Sequence, residues 1–202
     1  LICDRNLAKE KTMTTPPTNS KRWTTADLEA LDDDPWYRYE IIDGELYVTR
    51  APHWNHQQTC MKIGFAITSW SQQTGAGQIV TTPGVIFSEV DSVIPDLVWA
   101  SSETLAQSLD AAGHLTSAPE LIIEVLSAGK SNEDRDRRIK LQLYCSQDVQ
   151  EYWICDWRAR KIEIYRRQDD SLKLIETLRS NDELITPLLP GFRAQVSDLL
   201  AN

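Results

Sequence analysis

One short run sets most of the terms for this chain. Leu121-Ile122-Ile123-Glu124-Val125-Leu126 is apolar at every position but one. A run of this kind belongs to a central strand covered on both faces, so the fold must place a layer on each side of a sheet. Glu124 interrupts it. An unpaired buried carboxylate is costly, so Glu124 needs a cation, a metal ion or strong hydrogen-bond donors. The plainer alternatives are a solvated strand end or an arginine partner, and the run alone leaves both open.

The rest of the chain supplies the layers. Thr24 or Thr25 caps a short helix that carries Leu28 and Leu31 on one face. Tyr39 to Ile42 and Glu45 to Val48 flank Asp43-Gly44, a hairpin signal, because a tight I′ turn needs positive φ at both central residues. A helix follows from about Asn55 to Gln73, closed by Gly75, with Met61, Phe65 and Trp70 supplying much of its apolar face. Strands are expected at Gln78–Thr81, Val85–Phe87, Asp96–Ala100, Glu151–Asp156 and Lys161–Arg166, with a weak one near Leu184-Ile185. Helices are expected over Ser102–Leu109, over Ser131–Cys145 behind a capping box formed by Ser131 and Asp134, and near Val196–Leu200. Strands and helices interleave, so the class is α/β (α+β) with a mixed central sheet.

The length of 202 residues suits one domain. Residues 1–20 read as a flexible leader, polar and Pro-rich over 14–20, and Met13 is a candidate natural start. Residues 21–202 form the domain. No stretch approaches the roughly 20 apolar residues of a membrane span. The four cysteines form no C-x-x-C pair, and a reducing cytoplasm is the expected location. The net charge of −9 weighs against a protein that coats nucleic acid, but not against an enzyme that grips a phosphodiester through metal ions and a local basic patch.

Few other residues carry chemistry. Asp96 follows Pro95 at a strand start and is either a ligand or a turn residue. Lys140 lies four residues after Asp136, which makes an exposed helix ion pair or, alternatively, an ammonium reaching over the acidic site. Arg135, Arg137 and Arg138 make this the densest basic stretch, a solvated face or a substrate contact through Arg137. Glu40 points with Ile42 and is a ligand candidate or a hydrogen bond closing the hairpin. His53 and His56 flank Trp54-Asn55. With no accompanying Cys or His-x-x-x-His pattern, His56 is assigned to capping or a substrate contact. Trp153 and Trp157 are core residues or, on the alternative, part of a homodimer interface. No P-loop, G-x-S-x-G elbow or dinucleotide fingerprint is present.

Taken together, Tyr39-Glu40-Ile41-Ile42-Asp43-Gly44-Glu45-Leu46, His56-Gln57, Pro95-Asp96-Leu97-Val98-Trp99, Ala118 to Ser127, Asp136-x-x-x-Lys140-x-x-x-Tyr144 and Val149 to Asp156 resemble the Uma-two family, a bacterial branch of the PD-(D/E)XK nuclease superfamily, over about residues 22–200. The resemblance implies a restriction-endonuclease-like mixed sheet flanked by helices. It implies Asp96 and Glu124 as the two motif acids and metal ligands, Lys140 as the lysine placed on the following helix, and Glu40 as an additional acid. Asp136 and Tyr144 match family positions and are expected to support Lys140 and the packing. Two positions depart from the pattern: Leu126 stands where the superfamily expects lysine, and Asp148 stands where glycine precedes Val149.

The implied chemistry is cleavage of a nucleic-acid phosphodiester, with DNA the favoured substrate and Mg²⁺ or Mn²⁺ the cofactor. A competing expectation is an inactive nuclease-fold scaffold that binds nucleic acid or protein, to which the net charge and Leu126 both point.

Overall fold

The hairpin signal at Asp43-Gly44 holds in the structure, a computed structural model that describes residues 2–4, 21–31 and 36–201. Strand β1 (Ile2–Asp4) lies inside the segment expected as a leader, and the rest of that segment, Met13 included, lies outside the described residues. Helix α1 (Thr25–Glu29) starts at Thr24, whose N–H donates to Asp27 at 2.9 Å. Strands β2 (Tyr37–Ile42) and β3 (Glu45–Arg50) pair antiparallel across Asp43 and Gly44, both at positive φ (51° and 74°), as an I′ turn requires.

Helix α2 (Trp54–Thr74) runs to Gly75, which takes a left-handed cap at φ 67°. Then come β4 (Gly77–Thr81), β5 (Val85–Ser88), β6 (Asp91–Val93), β7 (Leu97–Ser101), α3 (Ser102–Ser108) and β8 (Leu121–Val125). The next helix is broken in three: α4 (Lys130–Asp134), a π-helical turn over Arg135–Lys140, and α5 (Leu141–Ser146). Strands β9 (Glu151–Asp156), β10 (Lys161–Gln168), β11 (Ser171–Arg179), β12 (Glu183–Ile185) and β13 (Arg193–Gln195), with helix α6 (Val196–Leu199), complete the described chain.

Seven strands form the central sheet in the order β1-β11-β10-β9-β8-β7-β4. Only β8 and β9 are parallel, so the sheet is mixed and its parallel pair lies near the middle. A four-stranded sheet, β3-β2-β6-β5, and the small pair β12-β13 stand apart from it. Strand β8 is buried at all five positions. Leu121, Ile123 and Val125 join one core with Ile63, Ile67 and Trp70 of α2 and with the C-terminal Phe192 and Leu199. Ile122 and Leu126 join a second core with Leu141, Leu143 and Tyr144 of α5 and with Ile42 of β2. Each such buried Leu or Ile contributes roughly 1.5–3 kcal/mol, so the two faces of this one strand anchor both layers.

Several expectations are corrected. Met61 and Phe65 do not face the core: they are 73% and 76% exposed, while Cys60, Ile63, Ile67 and Trp70 are buried. Both sets have helical spacing, so periodicity cannot choose between them; the sheet does. The capping box at Ser131 is absent, since the helix starts after Gly129 (φ 109°) with no side-chain cap. Strands β6, β11 and β13 are additional to those expected. Trp153 is fully buried and is a core residue, whereas Trp157 is half-buried, packing on the first core and stacking on His53 at 5.2 Å. Asp148 sits at φ 68°, a conformation favoured by glycine, which accounts for the glycine that the resemblance expects there.

Candidate active site

Strand register brings the two motif acids together. Leu97 of β7 stands opposite Ile123 of β8 in an antiparallel pair, so one step further places Asp96 opposite Glu124. Like charges in that position repel unless something positive joins them. The local backbone ties them in turn: Val125 N–H donates to Asp96 Oδ2 at 2.9 Å, and Asp96 N–H donates to Glu124 Oε2 at 3.4 Å.

Glu124 points into the second layer, where the π turn and α5 meet it. Lys140 Nζ lies 2.8 Å from Glu124 Oε1 and 2.8 Å from Glu40 Oε1, and the lysine side chain is 1% exposed. Tyr144 donates to the same Glu124 oxygen at 2.9 Å. Glu40, on the face of β2 that also carries Ile42, accepts the N–H of Ile94 at 2.9 Å. The exposed Asp136–Lys140 pair is therefore overturned in favour of a buried lysine clamped by two carboxylates. Asp136 is itself buried, with Arg135 Nε at 3.2 Å, and Tyr152 donates to its backbone carbonyl at 2.9 Å. Tyr144 serves Glu124 directly rather than Lys140.

Asp96 is held from the other side. His56, buried in the first turn of α2, approaches Asp96 Oδ2 with Nε2 at 3.0 Å, and Arg38 of β2 reaches Oδ1 at 3.2 Å. The helix cap falls to His53, which accepts Asn55 N–H at 3.0 Å. Sequence reasoning missed Arg38, whose signal was its place two residues before Glu40 on the same strand face. It also missed Cys60, whose signal was its i+4 spacing from His56; the thiol sulfur lies 3.7 Å from His56 Nδ1. Arg137 is not at the site. It pairs with Glu163, while Arg135 lines the cavity instead.

A cavity of about 460 Å³ opens onto this cluster, reached by Arg38, Arg50, His56, Asp96, Glu124 and Lys140 among others. Four buried carboxyl groups (Glu40, Asp96, Glu124, Asp136) meet Arg38, Arg135, Lys140 and His56, and Arg50 and His53 also line the cavity. One ammonium serves both Glu40 and Glu124. Burial, outweighing the help of Lys140 and reinforced by Asp96, Asp136 and Glu40, pushes Glu124 up to about 8. Burial also raises Asp136. Burial opposes ionisation of Asp96 too, but the His56 hydrogen bond, the Arg38 charge and the Val125 N–H hold it well below the usual carboxylate range. Burial disfavours the Lys140 ammonium, and Glu124, Glu40 and Asp136 more than offset this, so it stays charged.

Two donor sets could hold a metal ion. His56, Cys60 and Asp96 offer one ligand atom each within 4.8 Å of one another. Burial pushes the Cys60 thiol well above its usual range, so it keeps its proton and fits a hydrogen-bonded relay behind Asp96. Asp96 and Glu124 offer hard oxygen donors on the cavity wall in a cluster rich in carboxylate, which fits a divalent cation of the Mg²⁺ or Mn²⁺ kind.

The Uma2 family model, described as "Putative restriction endonuclease", matches residues 25–197. Among solved structures, a "putative nuclease belonging to DUF820" from Anabaena variabilis ATCC 29413 superposes with a TM-score of 0.69 at 16% identity, covering 87% of this chain and 96% of that one. The type IIG restriction endonuclease BpuSI matches with a TM-score of 0.38 at 12% identity, over 69% of this chain and 14% of its own. No curated protein matches the chain. Among the described residues, no helix is long and apolar enough to cross a membrane.

Proposed function

The chain belongs to the Uma2 family of restriction-endonuclease-like proteins, and on that premise we propose that it is a metal-dependent endonuclease that hydrolyses phosphodiester bonds, with DNA as the favoured substrate. The observation that carries this reading is the pairing of Asp96 and Glu124 across β7 and β8 at a cavity wall, with Lys140 delivered to Glu124 from a different element. Leu126, where the superfamily expects lysine, is buried in the second core and cannot serve. Lys140 supplies an ammonium on that same side of the sheet.

Asp96 and Glu124 would hold Mg²⁺ or Mn²⁺. Bound there, the ion would supply charge neutralisation at the phosphate and lower the pKa of the attacking water. The chain's own residues do the remaining work. His56 and Arg38 fix Asp96 in its ionised form, so its oxygens meet the cavity in one orientation. Tyr144 and Lys140 fix Glu124. The Lys140 ammonium stays protonated, so it acts as a fixed positive charge beside the reacting phosphate rather than as a base. Arg38, Arg50 and Arg135 line the cavity and favour the entry of a phosphodiester into an otherwise acidic molecule.

The test is cleavage of single- and double-stranded DNA and RNA with Mg²⁺ or Mn²⁺, comparing wild type with Glu124→Gln. Metal-dependent cutting that disappears in the variant supports the reading. Every substrate left intact, together with no rise in melting temperature on adding either ion, sinks it and favours the inactive scaffold.

A further inference from the structure

We propose that the groove between α2 and the β4 edge of the central sheet is a docking surface for a second copy of this chain. A quarter of all residues are charged, yet from Ala51 to Ser88 the chain carries one charged side chain, Lys62. Lys62 is turned away, with its ammonium on the Leu200 carbonyl at 2.8 Å. This stretch builds both walls of one groove, a cavity of about 510 Å³ lined by Met61, Phe65, Thr68, Ile79, Val80 and Thr81 among others and by no charged residue.

The helix wall has the spacing of a seam. Trp54, Gln58, Met61, Phe65, Thr68 and Gln72 recur at alternating intervals of four and three, the pattern by which one helix packs on another. They lie on the face opposite the buried Ile63, Ile67 and Trp70. Trp54, Met61 and Phe65 are 78%, 73% and 76% exposed, so nothing among the described residues covers them. Large aromatic and Met side chains without charge are the composition of an interface core.

The strand wall points to the same occupant. Among the described residues, β4 ends the seven-stranded sheet and pairs with β7 alone. Soluble proteins blunt such edges with charge, proline or a cover, and Gly77-Gln78-Ile79-Val80-Thr81 has none of these within the strand. An antiparallel pair of this strand with its own copy is two-fold symmetric by construction, and the same axis sets α2 against the copy's α2. Gln58 and Gln72 in the seam both donate and accept, so they too can pair with their own counterparts. Two copies that each carry a net charge of −9 repel elsewhere, and this uncharged face is where they can meet. The proposal does not depend on the acidic site.

Sedimentation equilibrium decides it, with wild type, Phe65→Glu and Val80→Lys at concentrations up to about 100 μM, where even a weak dimer is populated. The expected wild-type mass is twice the chain's 23.0 kDa. Each variant, checked for unchanged far-UV circular dichroism, should dimerise about a hundredfold more weakly or run as a monomer, because a charge then faces its own copy across the axis. Leu174→Glu, on an exposed site of β11, should leave the dimer intact. A wild type that remains at 23.0 kDa throughout, or a dimer that survives either Phe65→Glu or Val80→Lys, overturns the proposal.

Discussion

Lys140 is a single ammonium between Glu40 and Glu124, and the site's behaviour turns on that shortage of positive charge. Lys140→Met leaves the buried Glu40 and Glu124 carboxyl groups without their shared ammonium and should cost about 3–5 kcal/mol in urea unfolding, much of it recovered when Glu124→Gln is added. Glu124 gives the pH dependence. Its pKa is raised to about 8 in the folded protein from an ordinary value of 4.5. The native state therefore holds a proton that the unfolded chain has lost. The stability from that proton is fully present below 4.5 and is lost as pH rises through about 8. In chelator, the melting temperature should fall across that window, and Glu124→Gln should flatten the slope. A divalent ion must displace the same proton, so the rise in melting temperature that it produces should be larger at pH above about 8 than at pH 6. A metal response that does not change with pH would remove Glu124 from the ligand set.

At the scale of elements, the π turn over Arg135–Lys140 is the device that combines packing and site. One extra residue in the turn lets α5 keep Leu141, Leu143 and Tyr144 in the second core while Arg135 and Asp136 still face the cavity. Deleting the exposed Arg138 should restore an ordinary helix and rotate α4 by about 100° relative to α5, the angle per residue of 3.6-residue turns. The expected outcome is a folded protein, judged by tryptophan fluorescence, whose metal-dependent cleavage falls at least about tenfold. Unchanged cleavage would mean that the turn does not position the site. A continuous helix over Ser131–Cys145 was the natural expectation, because a π turn leaves no mark in the hydrophobic spacing on either side of it.

For the whole molecule, the contrast is between a net charge of −9 and a cavity lined by Arg38, Arg50 and Arg135. Nucleic-acid binding should therefore rest on a few local contacts. The slope of log affinity against log salt should be about −2 to −3, and Arg50→Ala should reduce its magnitude by about 0.9, measured by fluorescence anisotropy in Ca²⁺ to block turnover. A much steeper slope would place the nucleic acid on a broad surface rather than in the cavity.

The central strand, the hairpin and its turn, the long helix with its Gly75 cap, and the need of Glu124 for partners are all legible in the order of residues. These follow from local rules: apolar runs, positive φ at Asp43 and Gly44, and the cost of burying charge. The pairing of Asp96 with Glu124 became legible only through the family resemblance, since 28 residues separate them in the chain. The tertiary structure alone decided what depends on distance in space. It chose Ile63 and Ile67 over Met61 and Phe65 as the inner face of α2, because two stripes of equal spacing differ only in which one meets the sheet. It put Lys140 inside rather than on a helix surface, because the i+4 partner Asp136 was buried with it. It also replaced Arg137 with Arg135 and added Arg38, because which of several adjacent arginines reaches a cavity is set by strand register and by one π turn, neither of which is written in local sequence.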